Sequence, residues 1–128
     1  MEIRMKKVNG RYEFLEDGKS VKYTRYDGNY FIIDAEDYQS VSSVNWYPRK
    51  IHGYERRTWF AAQLKQYLHQ FILSKDGIDV PDGYEIDHIN RNPYDNRKQN
   101  LRVVTHQENM MNQSIRTTNK KWRQRCQI

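Results

Sequence analysis

Residues 84–109 read YEIDHINRNPYDNRKQNLRVVTHQEN and place two short apolar runs on either side of a polar loop. The first run, Tyr84 to Ile89, is typical of a short strand, and the second run, Leu101 to Val104, is typical of another. The loop between them, Asn90 to Asn96, holds Asn-Pro and Asp-Asn pairs, which favour turns. This stretch therefore predicts two short strands joined by a polar turn.

A helix is expected directly after the second strand. Thr105 precedes Glu108 by three residues. This is the spacing of a capping box, in which the two side chains bond the unpaired main-chain N–H groups of a helix start. We therefore predict a helix from Thr105 to about Ser114. Strand, loop, strand and helix together make residues 84–114 a ββα unit.

The residues before this unit predict a short helix and a β-rich region. Apolar residues with the i, i+3, i+4 spacing of a helix begin at Leu68, so we expect a helix at about 66–74. Residues 11–60 are rich in Tyr, Phe, Val and Ile and are broken by two Asp-Gly pairs, which are hairpin signals. Residues 54–64 fit either a continuing strand or the start of a helix.

The chain of 128 residues has a net charge of +6 that is unevenly distributed. Residues 91–128 hold nine Lys or Arg and two Asp or Glu, whereas residues 1–90 are close to neutral. On charge alone, this basic end fits either a polyanionic partner such as nucleic acid or a solvated charged tail. The single cysteine, Cys126, excludes an intrachain disulfide and a cysteine-rich zinc site. No apolar run approaches the roughly 18–20 residues of a membrane span, so we expect a soluble intracellular protein.

Four polar residues of the ββα unit could carry chemistry. Asp87 and the amide oxygen of Asn109 are hard ligands of the kind that a divalent cation prefers. His88 could act as a general base, and Asn100 could hold either the histidine ring or the loop. Neighbouring side chains of a strand point to opposite faces, so Asp87 and His88 are expected to reach different partners at the strand end. Taken singly, Asp87 is more often a cap or turn residue, His88 is more often a partly buried structural histidine, and Asn100 is more often a turn residue.

The motifs of residues 67–113 resemble those of the HNH endonuclease family, in its homing and phage-encoded branch. The matching motifs are Leu68-His69, Asp87-His88-Ile89-Asn90, Asp95-Asn96-Arg97, Asn100-Leu101-Arg102, and Thr105 with Asn109. The segment FIIDAEDYQSVSSVNWY, residues 31–47, is also similar to the region that precedes the nuclease motif in such proteins.

This resemblance implies an α+β fold in which an N-terminal antiparallel β-region precedes a ββα-metal HNH nuclease unit. It implies the hydrolysis of DNA phosphodiester bonds with one divalent metal ion. His88 matches the general base, and Asn100 matches the asparagine that orients this histidine and ties the loop. Asp87 and Asn109 match the metal ligands. Many relatives have His at the last position, and the Asp and Asn pair found here favours Mg²⁺ or Mn²⁺ over zinc.

The resemblance also implies that the partner is double-stranded DNA and that a monomer nicks one strand. It implies no association with a membrane and a location in the cytoplasm of a phage host. It divides the chain into a β-rich region at 1–65 that contacts DNA, a nuclease core at 66–114 and a basic tail at 115–128. The tail is either a disordered basic segment or a truncated DNA-binding appendage. The residues expected to bind DNA are Arg97, Lys98, Arg102, Arg116, Lys120, Lys121 and Arg123.

Two other functions remain open at this point. The chain could be a catalytically idle DNA-binding protein with an HNH fold, or a structural ββα domain whose basic tail binds RNA. The presence of His88 beside Asp87, together with Asn100 and Asn109, favours the nuclease. An idle copy has no physical need for the histidine.

Overall fold

The computed structural model describes residues 10–50 and 57–111, which form a mixed α+β architecture of three small antiparallel sheets and short helices. The strands are β1 (Gly10–Phe14), β2 (Ser20–Arg25), β3 (Tyr30–Asp34), β4 (Tyr47–Lys50), β5 (Arg57–Ala61), β6 (Gln66–Tyr67), β7 (Tyr84–His88) and β8 (Leu101–Thr105). The helices are α1 (Tyr38–Ser42), α2 (Leu68–Lys75) and α3, described over residues 106–111. Among these residues, no helix is both long enough and apolar enough to cross a membrane.

The strands β1, β2 and β3 form an antiparallel meander, as the two Asp-Gly pairs predict. In the first turn, the Asp17 carboxylate accepts hydrogen bonds from the main-chain N–H groups of Lys19 at 2.8 Å and Ser20 at 2.9 Å. In the second turn, Gly28 has a φ of 91°, a left-handed conformation that glycine adopts without steric cost. Local turn chemistry therefore closes both hairpins.

The prediction of β-structure throughout residues 11–60 is wrong between β3 and β4, where the chain is helical. A 3₁₀ turn at Ala35–Asp37 leads directly into α1. Val41 of α1 is fully buried, and its carbonyl accepts a hydrogen bond of 2.9 Å from the indole Nε1 of Trp46. Packing of Trp46 onto α1 stabilises a helix that is too short to be stable by itself.

The strands β4, β5 and β6 form a second antiparallel sheet. Within residues 54–64, where a strand or a helix start was open, the described residues form the strand β5 and a turn, and residues 54–56 lie outside the described residues. Trp59 of β5 is fully buried, and its ring centroid lies 5.0 Å from that of Phe31 and 5.7 Å from that of Tyr23. Its Nε1 donates a hydrogen bond of 2.9 Å to the carbonyl of Tyr30. Trp59 therefore joins the second sheet to the first.

A single hydrophobic core connects both of these sheets with α2 and with β8. The helix predicted at about 66–74 is α2, and its inward residues Leu68 and Ile72 are fully buried. Leu101 of β8 belongs to the same cluster. Burial of each large apolar side chain of this core is worth about 1.5–3 kcal/mol.

The predicted order of strand, loop, strand and helix is confirmed for residues 84–111. The strands β7 and β8 pair in antiparallel fashion, with Asp87 opposite Arg102. The capping box is complete, because the N–H of Thr105 donates to the Glu108 carboxylate at 2.8 Å and the N–H of Glu108 donates to Thr105 Oγ1 at 3.0 Å. The expected helix end near Ser114 lies outside the described residues.

The loop between β7 and β8 covers the outer edge of β3. The N–H of Ile32 donates to the carbonyl of Tyr94 at 2.8 Å, and the N–H of Asn96 donates to the carbonyl of Ile32 at 2.7 Å. These bonds form an isolated parallel bridge between Ile32 and Asp95. An edge strand leaves main-chain groups unpaired, so the loop satisfies β3 and β3 fixes the path of the loop.

A buried carboxylate connects α1, α2 and the same loop. The Asp37 side chain is fully buried, accepts hydrogen bonds of 3.0 and 3.1 Å from Lys98 Nζ, and pairs with Lys75. Lys98 also pairs with Glu36 and Asp76. Although burial opposes it, these hydrogen bonds raise the pKa of Lys98 above its ordinary value.

The Asp37 carboxylate should therefore matter far more to stability than its neighbour Glu36, which also bonds Lys98 but is 68% exposed. We expect Asp37→Asn to lower the free energy of unfolding by about 3 kcal/mol, the usual cost of breaking a buried ion pair. Glu36→Gln, the matched control, should cost less than about 1 kcal/mol. Urea denaturation of the two variants measures both values. Equal losses would show that the buried Asp37 pairs stabilise the fold no more than the exposed pair of Glu36.

Candidate active site

His88 is the last residue of β7, and its ring is held by the loop that follows. Its Nε2 lies 2.9 Å from Oδ1 of Asn96. The Nδ2 of Asn96 donates to the carbonyl of Pro93 at 3.3 Å, which fixes the orientation of the amide. Because an amide oxygen only accepts, His88 Nε2 must donate, and the neutral ring then carries its lone pair on Nδ1.

Asn96 is itself fixed from two sides. Its side chain is 1% exposed, and its main-chain N–H forms the bond to Ile32 of β3. The strand edge of the N-terminal sheet therefore determines where Asn96 lies, and Asn96 determines which nitrogen of His88 is available.

A second histidine contacts the ring of His88. His69 of α2 is half-buried, with its Nδ1 shielded from solvent. Its ring lies edge-on to that of His88, with centroids 5.3 Å apart, and it stacks on Tyr67 with centroids 5.7 Å apart. Burial lowers the pKa of His69 to about 3. Burial also lowers the pKa of His88, against the opposing effect of the hydrogen bond with Asn96. Both rings are therefore neutral at pH 7.

Asp87 lies on the opposite face of β7 from His88, as strand alternation requires. Its side chain is nearly buried, and its Oδ2 accepts hydrogen bonds from Arg102 Nη2 at 3.0 Å and from Nε at 3.2 Å. The two residues are direct partners across the β7–β8 ladder. The pairing supplies the charge that a buried carboxylate needs.

Asn109 of α3 lies on the same face as Asp87. Its Nδ2 donates to Glu85, which is two residues before Asp87 on β7 and therefore shares its face. Glu85 also accepts a hydrogen bond from His106, and the bonds from Asn109 and His106 lower its pKa. With Nδ2 bound to a carboxylate, the amide oxygen of Asn109 must point elsewhere.

That oxygen has no hydrogen-bond partner. Among the described residues, Asn109 Oδ1 and His69 Nδ1 are the two buried side-chain atoms that lack one. An unpartnered buried acceptor is costly unless a ligand, an ion or water completes it. The oxygen donors of Asn109 and Asp87 on one face suit a hard divalent cation such as Mg²⁺, so the residues present fit the metal that the family implies. No group of three or more His, Cys, Asp or Glu with metal-binding geometry occurs in residues 10–50 and 57–111.

Asn100 was expected to orient the His88 ring and to tie the loop, and in the structure these two contacts come from different residues, Asn96 and Asn100. Its Oδ1 accepts from the N–H of Asn90 at 2.9 Å, and its Nδ2 donates to Asn90 Oδ1 at 3.0 Å and to the carbonyl of Asp95 at 2.8 Å. These bonds tie the loop together. The hydrogen bond to the His88 ring comes from Asn96.

The basic residues expected to bind DNA are engaged within the protein where the structure describes them. Arg97 pairs with Asp95, Lys98 pairs with Asp37 and other acids, and Arg102 pairs with Asp87. DNA binding by these residues stays a prediction. The tail residues Arg116, Lys120, Lys121 and Arg123 lie outside the described residues.

Reasoning from the sequence missed three features of the site. These are the contact of Asn96 with His88, the contact of Glu85 with Asn109, and the ion pair between Arg102 and Asp87. Asn96 resembles any other turn asparagine, and its role depends on β3, which lies about sixty positions earlier in the chain. The position of Glu85 two residues before Asp87 was an available signal, because alternate residues share a face of a strand.

Burial of His69 predicts an acid-sensitive fold. In the unfolded chain its pKa is near 6.5, so between pH 6.5 and about 3 the unfolded state binds a proton that the folded state does not. The contribution of His69 to the free energy of unfolding is therefore constant above pH 6.5. Below that pH it falls by up to about 1.4 kcal/mol per pH unit. His69→Phe should reduce that slope in urea denaturation between pH 7 and 4. An unchanged slope in His69→Phe would contradict the assignment.

Comparison with known proteins finds one family model and one viral relative that match this chain. Residues 67–111 match a family model described as HNH endonuclease. The chain is 33% identical over 99 residues to an uncharacterized HNH endonuclease of Acanthamoeba polyphaga mimivirus. That match covers 76% of this chain and 50% of the viral protein, so the chain spans about half the length of the curated relative that it matches. No solved structure matches the chain. The segment from residue 67 to residue 111 belongs to the HNH endonuclease family.

Proposed function

We propose that this protein is a metal-dependent DNA endonuclease that hydrolyses phosphodiester bonds and nicks double-stranded DNA, in the manner of homing or phage HNH enzymes. The observation that carries the proposal is the unpartnered amide oxygen of Asn109 on the same face as the carboxylate of Asp87. The family match of residues 67–111 supports the same chemistry.

His88 is the proposed general base. The bond between Nε2 and Asn96 leaves Nδ1 as the atom that accepts the proton of the attacking water. The lowered pKa of His88 keeps this nitrogen unprotonated at neutral pH. Asn96 and His69 are positioning residues, because they contact the ring rather than the substrate. Asn100 acts one step further away by tying the loop that carries Asn96.

Asp87 and Asn109 are the proposed ligands of one Mg²⁺ or Mn²⁺ ion. When bound, such an ion stabilises the negative charge that develops on the phosphate and on the leaving oxygen. Glu85 orients the Asn109 amide by accepting from Nδ2, and this directs the oxygen donor away from the carboxylate. The products would be a 5′-phosphate and a 3′-hydroxyl.

Double-stranded DNA is the proposed partner, and one active site per chain suits a monomer that cuts one strand. The net charge of +6 favours a polyanionic substrate. The mimivirus relative is compatible with a viral or phage-encoded enzyme that acts in the cytoplasm of an infected cell. DNA contacts from the basic tail, and from the β-rich region before residue 66, belong to the same proposal.

Loss of the base should abolish cleavage without abolishing binding. We expect His88→Ala to slow single-turnover cleavage about 10²- to 10⁴-fold, because a positioned base typically contributes that much. Its affinity for duplex DNA should stay within a few-fold of wild type, because a neutral imidazole supplies no charge to a phosphate. Relaxation of supercoiled plasmid with Mg²⁺ measures cleavage, and a mobility shift in Ca²⁺ measures binding.

The outcomes of this experiment separate the nuclease from an idle DNA-binding protein. Wild-type protein that binds DNA but leaves the plasmid intact with both Mg²⁺ and Mn²⁺ would establish the idle alternative. An equal loss of binding and cleavage in His88→Ala would instead identify a structural histidine.

Removal of the Asn109 amide should weaken metal binding in a measurable way. We expect Asn109→Ala to raise the Mn²⁺ concentration for half-maximal cleavage about tenfold or more, with partial recovery at high Mn²⁺. Gln107→Ala, an exposed position on the same helix, is the matched control and should leave the titration unchanged. Identical metal titrations for the two variants would remove Asn109 from the coordination shell.

A further inference from the structure

The ion pair between Arg102 and Asp87 is asymmetric. The Asp87 side chain is 6% exposed, whereas the Arg102 side chain is 45% exposed. Asp87 is therefore held in place by its strand, while the guanidinium can leave towards solvent. Both hydrogen bonds of the pair, at 3.0 and 3.2 Å, go to the same oxygen, Oδ2.

This pairing performs in the metal-free protein the electrostatic task that a metal ion would perform. A buried carboxylate without a nearby positive charge is strongly unfavourable, and a guanidinium cannot lose its proton to escape the interaction. A divalent ion on Asp87 would place two cationic groups against one carboxylate. Their mutual repulsion in a partly buried setting favours release of the more exposed group, which is Arg102.

We propose that Arg102 is an exchangeable counter-ion, which neutralises Asp87 in the metal-free protein and transfers to a DNA phosphate when a divalent ion occupies Asp87. The inference rests on the proposed metal-binding role of Asp87 and Asn109. It assigns to Arg102 a regulatory role in addition to the simple phosphate contact.

A phosphate is the natural second partner for the released group. The planar fork of a guanidinium matches two phosphate oxygens as well as it matches a carboxylate. Arg102 lies on β8 directly opposite Asp87, so a phosphate that approaches the metal ligands also approaches the guanidinium. Metal binding therefore creates a site for DNA, and DNA in turn removes the competitor of the metal.

This exchange makes metal binding and DNA binding cooperative. Linkage requires that DNA raise the affinity for metal by the same factor by which metal raises the affinity for DNA. Coupled sites in proteins commonly show factors of about 5 to 150. Part of that coupling should depend on Arg102 itself, and replacement by glutamine should remove that part.

The direct test follows the Arg102 Nε–H in ¹⁵N spectra of the protein, with the signal assigned by its loss in Arg102→Lys. In metal-free protein the bond to Asp87 Oδ2 should protect this proton from exchange with water. Saturating Mg²⁺ should accelerate its exchange at least tenfold. Addition of a short duplex, in the His88→Ala background to prevent cleavage, should slow the exchange again at a new chemical shift.

The spectra also separate failure of this inference from failure of the proposed function. If Mg²⁺ shifts the Asn109 side-chain amide signals but leaves the Arg102 Nε–H unchanged, the metal site is supported and the proposed release of Arg102 from Asp87 is overturned. If neither signal responds to millimolar Mg²⁺, both the metal site and the proposed release of Arg102 are overturned.

Metal affinity measured by Mn²⁺ titration provides a second test. Arg102→Gln lacks the competitor, so it should bind Mn²⁺ about fivefold more tightly than wild type in the absence of DNA and show a smaller gain in affinity when DNA is added. Arg25→Gln, which also removes one arginine from an aspartate pair, should behave as wild type. Weaker Mn²⁺ binding by Arg102→Gln would mean that Arg102 supports the metal ligand, and would overturn the exchange.

Discussion

The main-chain bonding between β3 and the loop after β7 is the constraint on which the candidate site depends. Two bonds to Ile32 fix the loop at Tyr94 and Asn96, and the Asn96 side chain then fixes the ring of His88. The loop is rich in polar residues and could not hold one conformation through apolar packing. It acquires a defined path because a strand edge offers it unpaired donors and acceptors, and both sides are satisfied together.

Charge pairing supplements a core of limited size. Three buried aspartates, each on a different part of the structure, are matched by cations that reach in from the surface: Asp37 by Lys98 and Lys75, Asp95 by Arg97, and Asp87 by Arg102. The first two pairs connect elements that are far apart in the chain or close the loop. The third stands where the family places a metal. Ion pairing with a buried aspartate therefore serves architecture in two places and, in the third, involves the proposed metal ligand.

Local sequence signals predicted much of this fold. The Asp-Gly turns, the helical spacing around Leu68 and the Thr105 capping box each depend on residues within a few positions, and each is confirmed. The helix α1 was not predicted, because it is stabilised by packing of Trp46 rather than by its own pattern. Likewise, the motif pointed to Asp87, His88 and Asn109, but the choice of Asn96 as the partner of His88 requires β3, whose position no local pattern encodes.

The capping box at Thr105 sets strict limits on insertions and deletions in this protein. Asn109 lies four residues after Thr105, about one helical turn, so the cap determines the direction in which its amide points. One residue added or removed between them would rotate that amide by about 100° around the helix, away from Glu85. By contrast, the exposed loop before β7 can change in length without altering the spacing among the site residues from Glu85 to Asn109. Length variation among functional variants should therefore concentrate in that loop and be absent from the five residues from Thr105 to Asn109.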